Sequence, residues 1–232
     1  MSYVDDNPYT SPENTIAARA STDARASFIA KTYAHLAGAI IAFVAIEYVL
    51  LNHTSLPTMM MQFIGNSQWA WLIILGGFMV VSMIANRWAL SAVSPGMQYA
   101  GLGLFVVAEA IIFLPLLLIA TKFYPDAIPT AAATTLGLFA VLTTIVFVTR
   151  ADFSFLRVVL VFGGIAAFGF IIVAAIAGFA LGPIFIYAMI ALMCGYILYD
   201  TSNVLHHYRI GQHVAASLAL FASVATLFWY IL

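Results

Sequence analysis

Three acids interrupt the apolar runs of this chain: Glu47, Glu109 and Asp200. An ionised acid at the centre of a bilayer costs roughly 2.5–3.5 kcal/mol on insertion scales, so such a group faces a cavity, a partner or water, or reaches back to the headgroups. Asp200 is the most exposed to this conflict. It lies in "GYILYDTSNVLHHY" (195–208), where an apolar run gives way to Thr201, Ser202 and Asn203. A helix C-terminus carries negative partial charge and repels a carboxylate. A cation beside Asp200 would settle it. Arg87 is the expected partner on depth alone, with Arg150, Arg157 and Arg209 as rivals. An acid balanced between a guanidinium and a proton is a pH-sensitive latch; the same pair could equally be a static structural tie. Glu47 follows Lys31 by 16 residues and Glu109 follows Gly96 by 13. At 1.5 Å per residue these offsets are about 24 and 20 Å. The two acids therefore fall at similar height and are expected to line one water-filled cavity, with Pro115 kinking the helix beyond Glu109.

The elements that must position these residues follow from composition. The chain has 232 residues, 64% hydrophobic and 7% charged, against about 25% charged in soluble domains. So little polar surface predicts an integral membrane protein. The net charge of −1 gives no footprint for nucleic acid. Cys194 is the single cysteine, so no disulfide can form within the chain. Spans are expected at 30–51, 69–87, 97–120, 129–149, 157–179, 183–202 and 214–232. The 42 uncharged residues between Arg157 and Asp200 would make a helix of about 63 Å, twice the hydrocarbon thickness. "GFALGP" (178–183) divides them, with Pro183 opening the next helix. Residues 29–232 thus form one seven-helix membrane domain, and polar residues 1–28 a disordered cytoplasmic tail. The first span is expected to act as an uncleaved signal anchor.

Seven of the eight basic residues (Arg19, Arg25, Lys31, Arg87, Arg150, Arg157 and Arg209) fall on one side of this arrangement, and only Lys122 on the other. The positive-inside rule places the N-terminus in the cytoplasm and, with seven spans, the C-terminus outside. Asp200 then sits at the cytoplasmic end of the sixth span.

"GYILYDTSNVLHHY", "VFVTRADFSFLRVVL" (146–160) and "AKTYAHLAGAI" (30–40) resemble the Bax inhibitor family of transmembrane Bax-inhibitor-motif proteins, over about residues 28–232. The resemblance implies an all-α bundle around a central helix and, in some members, a calcium- and proton-linked leak. In those members an acid on the sixth helix pairs with an acid on the last, and an arginine ending the second helix latches them. Asp200 matches the first acid and Arg87 the arginine. The second acid is missing: Ser223 stands in its place. A hard divalent cation prefers more than one carboxylate, so no cofactor and at most weak calcium binding are expected. The departure resembles a bacterial branch linked to restraining a membrane-anchored ATP-dependent protease. That makes a non-conducting modulator of such a protease the alternative to a leak.

The remaining features point to structure. His206 and His213 are seven residues apart, about 10 Å on a helix, too far to share a metal, and no metal site is expected. His35 reads as a hydrogen-bonded packing residue. Thr134, Thr135, Thr143 and Thr144, with Ser217, Ser223 and Thr226, are expected to bond their own backbone or a neighbouring helix, with a pore lining as the other option. Trp69, Trp71, Trp229 and Tyr230 are placed as an outer aromatic belt. Neither GxSxG nor HExxH occurs, and Glu109 and Asp200 lie at opposite depths, so no enzyme is expected. Short loops and the lack of a retention signal suggest a bacterial inner (plasma) membrane. The lipid bilayer is the expected environment, calcium or protons the expected ions.

Overall fold

The computed structural model describes residues 15–67, 69–91 and 94–232. Eight helices occur among them: α1 (Thr22–His53), α2 (Leu56–Asn66), α3 (Ala70–Ala89), α4 (Pro95–Phe123), α5 (Ala127–Thr149), α6 (Leu156–Ala177), α7 (Pro183–His206) and α8 (His213–Ile231). All but α2 belong to the 7 helices long and apolar enough to cross a membrane. The sixth expected span is therefore α7 and the last is α8. The short helix α2 was not expected. Pro57 in its first turn suits the start of a helix, where its missing N–H is not needed.

Local chemistry explains where the helices stop. Ser21 caps α1 by accepting from the Ala24 N–H, and Ser94 caps α4 by accepting from the Met97 N–H. Such caps satisfy amide donors that have no partner within the helix. Gly178 ends α6 with φ of 74°, a left-handed conformation that costs glycine little. Pro183 opens α7. Arg150 closes α5 with φ of 51°, an uncommon conformation for a side chain with a Cβ. It turns the chain into the α5–α6 loop.

The burial is uneven. α8 and α4 are the inner helices, whereas α3 and α6 bury little of themselves. α8 packs on α7, α1, α4, α5 and α3, which makes the C-terminal helix the central one. Its buried face includes Val214, Leu220, Phe221 and Leu227. Phe221 meets Phe43 of α1 and Phe105 of α4 edge to face, the geometry that ring quadrupoles favour. α3 and α4 touch at Gly101, where a Cβ would lie 2.5 Å from the Ala85 carbonyl oxygen; only glycine fits. Outside this core the chain presents large apolar side chains such as Ile41, Val148, Phe162 and Ile184, as lipid contact requires.

The tail expectation needs correction. Residues 1–14 lie outside the described residues, but 15–28 are structured. A 3-10 turn spans Ala17–Arg19, and α1 begins at Thr22. The Ala17 N–H donates to the Tyr208 carbonyl at 2.9 Å and the Ile210 N–H to the Thr15 carbonyl at 3.0 Å. Polar composition suggested disorder; edge pairing with the α7–α8 turn gives this backbone its partners instead.

Candidate functional site

Asp200 lies one and a half turns before the end of α7 and is 8% exposed. Its Oδ2 accepts a hydrogen bond from the Ser223 hydroxyl of α8 at 2.6 Å. The expected ion pair with Arg87 is not formed, nor one with Arg150, Arg157 or Arg209: the ion pair among the described residues is His207–Asp152. Arg87 is exposed at the end of α3. The reason is lateral position. α3 packs on α4, while α7 packs on α8, α5 and α6. Equal depth does not bring two helix ends together.

The Ser223 hydroxyl, not a cation, meets this acid among the described residues, and a second group of hydroxyls starts at the next residue of α7. Thr201 follows Asp200 on α7, fully buried, and its hydroxyl and that of Thr143 of α5 lie near the Tyr33 phenol of α1. All three oxygens are buried without a partner in good geometry. Buried polar atoms without a partner are uncommon in folded proteins. The Tyr208 phenol, beyond the end of α7, is pushed well above its ordinary range, first by burial and then by the nearby Asp200 charge.

The α5–α6 loop closes the same end. Ser202, fully buried, accepts the Phe153 N–H at 2.9 Å. Asp152 accepts the Ser154 N–H at 2.9 Å and meets His207 Nε2 at 3.2 Å. The Ser154 N–H, aided by His207, holds the Asp152 carboxyl down at about 2. The segments "TRADFSFL" and "YDTSN" are thus in direct contact. Sequence reading quoted both but missed the pairing, since it joins residues 49 positions apart.

Glu47 is not among the residues that line the cavity of Glu109. Glu109, on α4, lines a cavity of about 240 Å³ with Trp71 and Phe78 of α3, Phe113 of α4, and Thr226 and Trp229 of α8. Both Glu47 carboxylate oxygens are buried and lack a hydrogen-bond partner among the described residues. Rise along an axis fixed their heights but not the faces of α1 and α4 that carry them. Trp71 and Trp229 depart from the expected belt as well. They stack at a centroid distance of 5.8 Å and face the cavity, while Trp69 is half-exposed.

The other hydroxyls divide. Thr134, Thr144 and Thr226 bond the carbonyl four residues back. Ser217 bonds the His213 carbonyl and also that of Thr32 on α1. Thr135 and Thr143 are unpartnered. His35 bridges the Lys31 carbonyl and the Tyr99 hydroxyl, the packing role expected.

Fold and composition together define a multi-pass, all-α membrane protein with a buried acid between its last two helices. Residues 25–232 match the model of the family described as Inhibitor of apoptosis-promoting Bax1. The chain belongs to that family. Neither the curated proteins nor the solved structures contain a match.

Proposed function

We propose that this protein is a regulatory, non-enzymatic membrane protein that permits a modest cation or proton leak, gated where Asp200 meets Ser223. The observation that carries the reading is the Ser223–Asp200 hydrogen bond at 2.6 Å in a buried setting with no ion-paired base. A buried carboxylate without a counter-ion is costly, so an entering cation or a proton is what can neutralise it. The unpartnered hydroxyls of Tyr33, Thr143 and Thr201 supply neutral oxygens for a desolvated ion or a water. An N-terminus in the cytoplasm puts this gate on the inner side of a bacterial plasma membrane, following the basic residues clustered at that end.

The test is flux from dye-loaded liposomes carrying wild type or Asp200→Asn, at mildly acidic and mildly alkaline pH. The reading predicts that Asp200→Asn changes calcium or proton flux and flattens its pH response. Equal fluxes at both pH values would remove the gate.

A second reading is favoured by Ser223, which leaves one carboxylate where a divalent cation prefers two. In it the bundle is a non-conducting modulator of a membrane partner such as a membrane-anchored ATP-dependent protease. Wild-type liposomes without flux, together with co-purification of such a partner, would support it.

A further inference from the structure

The cavity beside Glu109 has a chemistry of its own, independent of the Asp200 gate. It lies between α3, α4 and α8, with Ile171 of α6 and Leu181 of the α6–α7 connection also on its wall, toward the start of α3 and the end of α8. Its wall residue Thr226 lies one turn along α8 from Ser223, on the side away from the α7–α8 turn. Glu109 is 5% exposed and makes no hydrogen bond or ion pair with a described residue. No lysine, arginine or histidine lines the cavity. Its walls are apolar, with aromatic rings from Trp71, Phe78, Phe113, Trp229 and Tyr230 among aliphatic side chains. Phe113 meets Trp229 edge to face at 5.0 Å, and Trp229 stacks on Trp71 at 5.8 Å.

Each of these features selects among ligands. A lone buried carboxylate calls for positive charge. A hard metal ion would want six or more oxygens, and here one carboxylate faces rings, with the Thr226 hydroxyl already donating to the Ala222 carbonyl at 2.8 Å. A soft, weakly hydrated organic cation suits rings and carboxylate together. Aromatic faces attract ammonium groups through the ring quadrupole, and apolar walls with a few polar groups are the usual make-up of small-molecule sites. We propose that this cavity binds a small organic ammonium ion, its charge against Glu109 and its carbon substituents against Trp71, Phe113 and Trp229.

Benzyltrimethylammonium is a suitable probe, titrated into full-length protein in lipid nanodiscs. Trp71 and Trp229 line the cavity, so their fluorescence reports occupancy once Trp69 and Trp88 are replaced by phenylalanine. Saturable quenching is expected. Glu109→Gln should weaken binding at least about tenfold, the scale of a lost charge-assisted contact. Trp71→Leu, which keeps the carboxylate, should weaken it about threefold. Neopentylbenzene, the neutral isostere, should bind more weakly than the cation to wild type. Equal affinity for cation and isostere in wild-type protein would overturn the site, and this comparison needs no variant to fold. Unchanged affinity in folded Glu109→Gln would overturn it too. Displacement of the probe by calcium at equal concentration would replace the organic cation with a metal.

Discussion

Asp200 and Glu109 are both acids buried within transmembrane helices, yet their surroundings are opposites. Asp200 accepts a hydrogen bond from the Ser223 hydroxyl and lies near the Tyr208 phenol. Two straps cover its end of the bundle: the N-terminal segment on the α7–α8 turn, and the α5–α6 loop on Ser202 and His207. Glu109 has no such donor and faces aromatic rings across a cavity. Position along a helix therefore does not determine what a buried charge does. Oxygen neighbours suit small, hard cations and protons; rings suit organic ones. The same fold holds both environments because α8 packs on α1, α3, α4, α5 and α7 and presents Ser223 near its middle and Trp229 near its end.

The largest expected effect comes from making the oxygen site richer. Ser223→Asp places a second carboxylate against Asp200 and should raise calcium affinity or calcium-dependent flux about tenfold. Calcium titration and liposome flux read this directly; no change would mean that the two side chains do not share an ion path. Ser223→Ala tests the same contact from the side of stability. Removing the hydroxyl bonded to this buried acid should cost about 1–3 kcal/mol, seen as a lower thermal midpoint in detergent. Glu47 offers the contrast, because its oxygens already lack partners. Glu47→Leu should leave the midpoint unchanged or raise it, by up to about 2 kcal/mol, and a clear fall would show that Glu47 has a partner in the membrane. Ser202→Ala should cost about 1 kcal/mol and speed hydrogen exchange at the Phe153 amide, while exchange around Glu109 stays as it was.

The smallest effect concerns pH at the α5–α6 strap. The Asp152 carboxyl is lowered from an ordinary 3.8 to about 2, so the folded state favours its charged form. That contribution is complete above the ordinary value and is lost as pH falls through about 2. Asp152 and His207 are nearly half exposed, so solvent weakens the pair. Limited proteolysis of loop 150–155 should be unchanged from neutral pH to about 4 and faster below. Asp152→Asn should be cut at the same rate throughout.

Much of this was legible in the residues. Seven long apolar runs and the break at "GFALGP" specify helices through local rules of length and dihedral preference. Those rules need no neighbour. Asp200 stood out in the same way, as a charge where local physics disfavours one. The pairing of that charge was not local. Arg87 matched it in depth, but depth is one coordinate, and the choice of Ser223 depends on which face of α8 meets α7. The straps were hidden for a related reason. Loop 150–155 and the segment before α1 carry no apolar period, so their order comes from backbone bonds to distant chain.

Sequence alone determined the class of the molecule, the number of its spans and the acids that had to be explained, because hydration and helix geometry act residue by residue. Tertiary structure alone decided the partners of those acids: a hydroxyl for Asp200, a ring-lined cavity for Glu109 and no donor for Glu47. The rotation and lateral order of packed helices are set by how all their side chains fit together at once, which no single stretch of chain encodes.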